Sequence, residues 1–216
     1  MFLKRDGAGN LSFSSDLPTT SFTGATVETS IADSDLVLIY DDSATAVRKM
    51  TKANLVAGIG ASAGQVIQVV STAKTDTFST STGSFIDVTG LSVTITPSSA
   101  SNKILIKSDI HFGTNGNAGY IYFKLVRAST DIYLGDAAGS RIRGFGGGMA
   151  ADSATTLQLS NVFLDSPATT SATTYKIQVY NQNTGQVGYV NRSFTDTDNT
   201  TYLRTASSIT VMEIKG

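Results

Sequence analysis

The chain has 216 residues, and its 17 acidic and 16 basic side chains leave a formal charge of −1 at neutral pH. Charged residues make up only 15% of it, and no basic stripe runs through it, which excludes a nucleic-acid binder that works by neutralising phosphates. It has no cysteine and no tryptophan, so disulfides, thiol chemistry and cysteine-based zinc sites are excluded as well.

This length accommodates one good-sized domain plus an appendage. Serine and threonine supply about a quarter of the residues, and the only glutamates are Glu28 and Glu213; every other acid is aspartate. Hydroxyl side chains suit strand surfaces and turns, aspartate suits turns and caps, and glutamate favours helices. The composition therefore predicts a helix-poor, mainly β protein. No apolar run approaches the roughly 20 residues that span a bilayer, and Met1 to Asp6 lack the apolar core of a secretion signal. The expectation is a product made in the cytoplasm and not inserted into a membrane.

In chain order, residues 1–34 are weakly patterned, with Leu11-Ser12-Phe13 as one short strand; the segment reads as an arm that orders on a partner. Residues 35–60 form a second unit. Leu36 to Tyr40 is a compact apolar strand, Asp41-Asp42-Ser43 a turn, and Ala46 to Met50 a returning strand. Thr51 then caps a short helix from Lys52 to Val56, which ends at Gly58. Such a unit is too small to bury a core of its own. Residues 61–64, Ala-Ser-Ala-Gly, read as a linker.

From residue 65 to 216 the sequence is a string of short alternating strands. Leu91-Ser92-Val93-Thr94-Ile95, Tyr175-Lys176-Ile177-Gln178-Val179 and Ile209-Thr210-Val211-Met212 each place apolar residues on one face and polar ones on the other. Predicted strands are 66–71, 77–80, 85–88, 91–96, 103–112, 120–126, 131–134, 157–164, 175–180, 187–191 and 208–214. Residues 135–152 read as a long glycine-rich loop. This pattern predicts an antiparallel β-sandwich of the jelly-roll or Greek-key kind. The last strand carries apolar groups on both faces (Ile209, Val211, Met212, Ile214), which predicts a central position in its sheet.

Two stretches resemble a known class. Residues 35–56, DLVLIYDDSATAVRKMTKANLV, resemble a module of tail-fibre and head-fibre proteins of tailed bacteriophages. Gly64 to Val70, Phe78 to Pro97, Leu164 to Pro167, Thr173 to Val179 and Arg204 to Glu213 are similar to virion structural proteins of phages, especially those of marine bacteria and cyanobacteria. The resemblance implies a virion part that is not an enzyme: a homotrimer whose N-terminal region anchors it to capsid or tail proteins and whose β-sandwich head projects to bind a host-surface glycan or to stabilise the particle. It defines no receptor-contacting residues. The competing class is a carbohydrate-binding module or a small glycan-active enzyme.

Chemistry-bearing candidates are few. His111, the single histidine, shares a strand face with Asp109 and reads as a solvated surface pair without an adjacent nucleophile. Gly144-Phe145-Gly146-Gly147-Gly148 lacks the lysine and following helix of a phosphate loop. Asp196-Thr197-Asp198-Asn199 clusters oxygens, but the twelve-residue calcium-loop pattern is absent. No catalytic, metal or cofactor residues are assigned. The contacts expected at a tip or between subunits are Tyr120 and Tyr122, opposite the Ile121/Phe123/Leu125 face, and Arg141, Arg143 and Phe145 on the glycine-rich loop.

Overall fold

A computed structural model describes residues 2–5, 11–14, 32, 34, 36–41, 46–58, 62–115, 119–183 and 185–216. The chain divides into two units, residues 1–60 and 61–216. Most of the expected arm and the turn at Asp42 and Ser43 lie outside the described residues.

In the first unit, β1 (Phe2–Arg5) pairs antiparallel with β2 (Leu11–Ser14), and β3 (Leu36–Asp41) pairs antiparallel with β4 (Ala46–Thr51). Helix α1 (Lys52–Gly58) follows directly. Its first turn is capped by Thr51, whose Oγ1 accepts the Asn54 amide at 3.2 Å.

Among the described residues, the second unit holds eleven strands: β5 (Val66–Lys74), β6 (Phe78–Thr80), β7 (Ile86–Ile95), β8 (Lys103–Gly113), β9 (Ile121–Arg127), β10 (Thr130–Ile132), β11 (Gly146–Gly148), β12 (Leu157–Asp165), β13 (Thr173–Asn181), β14 (Gly188–Val190) and β15 (Ser207–Ile214). The first sheet runs β10–β9–β13–β7, with β11 following β10 along the same edge of β9. The second runs β5–β15–β8–β12, and β14 takes over the edge of β8 where β15 leaves it, carrying β6 outside it. All pairings are antiparallel, and from β7 to β14 the chain passes repeatedly between the sheets, giving an antiparallel β-sandwich of jelly-roll character.

Alternation explains the packing. In β8, Ile104, Ile106, Ile110 and Phe112 point inward; in β13, Tyr175, Ile177 and Val179 do so; in β9, Ile121, Phe123 and Leu125 do so. Val88, Leu91, Val93 and Ile95 of β7 and Ile209 and Val211 of β15 complete the core. Phe112 and Phe123 meet across it with ring centroids 5.2 Å apart. Each such burial contributes about 1.5–3 kcal/mol. The last strand is central, between β5 and β8, as its two apolar faces predicted.

Two predicted strands, 85–88 and 91–96, are a single strand, β7. The Thr89-Gly90 pair is a bulge rather than a turn. Gly90 takes φ +86°, the β13 register shifts opposite it, and Val88 and Leu91 both stay buried on either side. The glycine-rich loop contains a strand that alternation could not reveal, because β11 is three glycines.

Buried polar groups tie the sandwich together. Asp165 of β12 accepts two hydrogen bonds from Arg127 Nη1 of β9, both 2.8 Å, and one from the Tyr175 hydroxyl of β13 at 2.7 Å, so the trio bridges the two sheets. Burial, and then the hydrogen bond to the Asp165 carboxylate, push the Tyr175 phenol far above its ordinary pKa, so it stays a donor. Glu213, 1% exposed, accepts the Ser98 amide at 2.6 Å, the Ser98 hydroxyl at 2.8 Å and Asn102 Nδ2 at 2.5 Å. Burial pushes this carboxyl up, but the donors from Asn102 and Ser98 outweigh it and hold it below the ordinary range.

Asn191 sits fully buried with φ +66°, a conformation asparagine tolerates better than most side chains. Its Nδ2 donates to the Lys74 and Asp76 carbonyls, both at 2.8 Å, and its Oδ1 accepts the Ser207 hydroxyl at 2.5 Å. One amide thereby ties the start of β15 and the end of β5 to the end of β14.

Candidate interaction surfaces

Three surfaces of the sandwich carry the side chains with chemical potential. The first is the outer face of the β7–β13–β9 sheet. Tyr120 and Tyr122 stack with centroids 6.3 Å apart and planes 9° from parallel. Tyr180 lies 6.2 Å from Tyr122 and 5.4 Å from Phe85, and Lys124 Nζ sits 4.4 Å over the Phe85 ring. The Tyr122 hydroxyl donates to Gln182 Oε1 at 2.8 Å. Partial burial, with Tyr120 and Tyr180 beside it, raises the Tyr122 pKa above the ordinary phenol value.

Pairing of β11 with β9 sets Gly147 opposite Tyr122, so the structure joins two features that are twenty-odd residues apart in the sequence. Tyr122, Ile142, Gly144, Gly146 and Gly147 line a cavity of about 210 Å³. The glycines are sterically required. A Cβ on Gly147 would lie 2.2 Å from the Ile121 carbonyl oxygen, and one on Gly144 would lie 2.4 Å from that of Phe123.

The other loop candidates separate. Arg141 is exposed; Arg143 is exposed and donates through Nε to the Gly135 carbonyl at 2.7 Å. Phe145 turns inward, half-buried against the core, with its ring 6.2 Å from that of Tyr133.

The second surface, which sequence reading did not single out, is the outer face of the other sheet. Its register places Val69 opposite Met212, Met212 opposite Leu105, and Leu105 opposite Leu164. The four side chains form one apolar row across β5, β15, β8 and β12. Val69 is 57% exposed and Leu164 46%. Beside this row Val162, 55% exposed, continues the apolar surface next to Lys107, its register partner on β8. The next row is polar: Asp109 accepts from Ser160 and pairs with Lys107 at 3.3 Å. The hydrogen bond from Ser160, more than the Lys107 ammonium, holds the Asp109 carboxyl below its ordinary range. The signal was present in the apolar Met212 and Ile214, which predicted the central position of β15; only the register shows that Met212 lines up with Leu105 and Val69 on the outer face.

The third surface is the turn after β14. Asp196, Thr197, Asp198, Asn199, Tyr202 and Arg204 line a cavity of about 260 Å³. Arg192 Nη1 and Arg204 Nη2 both reach Asp196 Oδ2, at 2.9 and 2.5 Å.

The single histidine and its neighbouring aspartate, among the described residues, are taken up by structural contacts. His111 Nδ1 pairs with the Ala206 carbonyl at 2.9 Å, and the neighbouring Asp109 is engaged by Ser160 and Lys107. Among the described residues, no group of three or more histidine, aspartate or glutamate side chains is placed to hold a metal ion, and no helix is long and apolar enough to cross a membrane.

No protein-family model matches the chain, and no curated protein does. What the strands define is a two-sheet antiparallel β-sandwich. Among solved structures, it is similar to the structure of the infectious bursal disease virus Gx strain, at 12% identity and a TM-score of 0.38, over 93% of this chain and 56% of that one. It is also similar to the VP2 subviral particle of infectious bursal disease virus, at 12% identity and a TM-score of 0.36, over 88% and 49%. The chain thus spans about half the length of each, and at scores this low neither likeness carries an argument.

Proposed function

We propose that this chain is a non-enzymatic structural protein of a bacteriophage virion, a fibre or capsid-decoration part that assembles as a homotrimer. The observation that carries the self-assembly is the row Val69–Met212–Leu105–Leu164, with Val162 beside it. Soluble monomers rarely leave a contiguous apolar patch open to water unless it meets something. Further copies of the chain fit, because Lys107 and Asp109 beside the row carry both charge signs, so that around a threefold axis Lys107 of one copy can meet Asp109 of the next. Turning this face toward a threefold axis buries the row three times over.

The virion assignment is supported by the resemblance of residues 35–56 and of the sandwich strands to phage fibre and virion proteins. In this reading residues 1–60 anchor the part to capsid or tail proteins and the sandwich projects as the head. The choice between fibre and decoration roles turns on what the head touches.

Light scattering of the whole chain tests it. The expected mass is three chains; a stable monomer at micromolar concentration overturns self-assembly. Immunogold labelling of purified particles tests the virion assignment separately, with label expected at capsid or tail and none anywhere on the particle overturning it.

A further inference from the structure

We infer that the cavity beside Asp196 is a binding site for a single neutral pyranose ring. The surroundings are rigid before any ligand arrives. Arg192 and Arg204 are partners in an isolated antiparallel bridge, which brings both guanidinium groups onto one oxygen of Asp196. Arg192 is fixed further by donating to the Ser193 and Phe194 carbonyls at 2.9 and 2.6 Å and by lying 4.2 Å over the Tyr189 ring. The Ser193 hydroxyl donates to the Thr195 carbonyl at 2.7 Å, and the Thr195 amide donates to the Ser153 carbonyl at 2.8 Å. Preorganised polar groups lose less freedom when they bind.

Against this base the cavity presents unused hydrogen-bonding capacity of both kinds. Asp196 is held through Oδ2, which leaves Oδ1 as an acceptor. Asp198 adds a second carboxylate. Asn199 uses its Oδ1 to accept the Thr201 amide at 2.9 Å, leaving Nδ2 as a donor. Tyr202 contributes a half-buried ring and its hydroxyl. A pair of adjacent sugar hydroxyls needs an acceptor beside a donor, and the apolar face of the ring needs an aromatic surface.

Other ligand classes fit worse. A divalent cation would need six or more oxygens, and the nearer carboxylate is already neutralised by two guanidinium groups. An anion would meet the Asp198 carboxylate, and Arg192 and Arg204 each already direct a guanidinium nitrogen at Asp196. A nucleotide or a long apolar ligand needs more room, since about 260 Å³ falls below the roughly 300–1,000 Å³ of sites for drug-sized ligands. The volume accommodates one ring, so a polysaccharide would be taken by its end or by a side branch. This inference does not depend on trimer formation, because every lining residue comes from one chain. In a trimer, three such sites would add avidity to individually weak contacts.

The test is an NMR titration of the full chain with methyl glycosides of glucose, galactose and mannose, with glucuronate and calcium chloride as comparison arms. At least one neutral glycoside should give saturable shifts confined to residues 196–204. Asp198→Asn and Tyr202→Ala should each weaken binding by roughly tenfold or more. Among the described residues neither side chain makes a hydrogen bond, so Asp198→Asn is expected to keep the wild-type melting temperature and Tyr202→Ala to lose only the packing of a half-buried ring, and Tyr122→Ala, on the other surface, should bind normally. The inference is overturned if no neutral glycoside saturates, if binding survives both substitutions, or if glucuronate or calcium binds in its place. A chain that fails this titration but scatters light as a trimer would sink the sugar site and leave the assembly reading intact.

Discussion

The two outer faces of the sandwich are built from strands of the same kind and finished in opposite ways. On the β7–β13–β9 face, Thr94 and Thr174 share a hydrogen bond of 2.7 Å, Lys176 and Gln178 both reach Asp87 at 2.8 and 2.6 Å, and Lys124 pairs with Asp131 at 2.8 Å. Its aromatic rings end in hydroxyls or lie under a cation. On the β5–β15–β8–β12 face, the corresponding central row is valine, methionine and two leucines. Both faces satisfy the backbone equally well, so the difference has nothing to do with folding the sheet. One surface is finished with polar groups and hydroxyl-bearing rings; on the proposed reading the other is completed by further copies of the chain.

The comparison breaks most visibly if the apolar face is made polar. Leu105→Gln combined with Leu164→Gln should reduce the scattering mass from three chains to one, while melting of the isolated sandwich shifts by less than about 1 kcal/mol, because neither side chain is in the core and the pair adds no like charges across the strands. An unchanged mass would locate the interface elsewhere.

The reverse dissociation of effects is expected inside. Asp165→Ala strips partners from Tyr175 and Arg127 and should destabilise the sandwich by about 3 kcal/mol in denaturant melts, the lower end for a buried charge pair because Arg127 keeps some solvent exposure. Assembly should persist wherever the sandwich is still folded.

A smaller effect follows from Glu213. Its carboxyl lies below the ordinary range in the folded chain, so its contribution is fully present above the unfolded value of about 4.3 and is lost as pH falls through the folded value. Melting temperature plotted against pH should therefore drop more steeply in acid for the wild type than for Glu213→Gln, and at neutral pH that variant should be less stable by about 1–2 kcal/mol. Parallel curves would show that the carboxyl charge is immaterial.

The smallest change is expected on the finished face. Lys176→Ala removes a surface ion pair with Asp87 and should cost no more than about 1 kcal/mol, with no change in mass.

Much of this architecture could be read from local pattern. Alternation located nearly every strand of the second unit, and Thr51 marked the helix start. Where reading failed, the missing information was relational. Glycine has no side chain to alternate, so β11 was invisible in 135–152. Gly90 looks like a turn until the flanking residues are seen to share one partner strand. Register decides which outward side chains become neighbours, and the apolar row draws one residue from each of four strands scattered between positions 69 and 212. Asp165 falls one residue past the predicted strand 157–164, where nothing local marks it; its partners Arg127 and Tyr175 come from the opposite sheet. The Asp196–Asn199 turn was legible as a polar cluster, but the arginines that neutralise Asp196 and make it a poor cation ligand emerge only from the Arg192–Arg204 bridge.

The central position of β15 also constrains how the protein is made. Ser207–Ile214 is synthesised after every strand it pairs with, and β5, its partner, lies about 140 residues upstream. Until that strand leaves the ribosome, β5 and β8 have no common neighbour and the second sheet is two unconnected pieces. Such late, distant closure is slow, and it leaves unpaired edges open meanwhile. A chain stalled before residue 207 should therefore be a chaperone client or an aggregate rather than a smaller folded domain, and nascent-chain proteolysis should show protection arriving in a single late step.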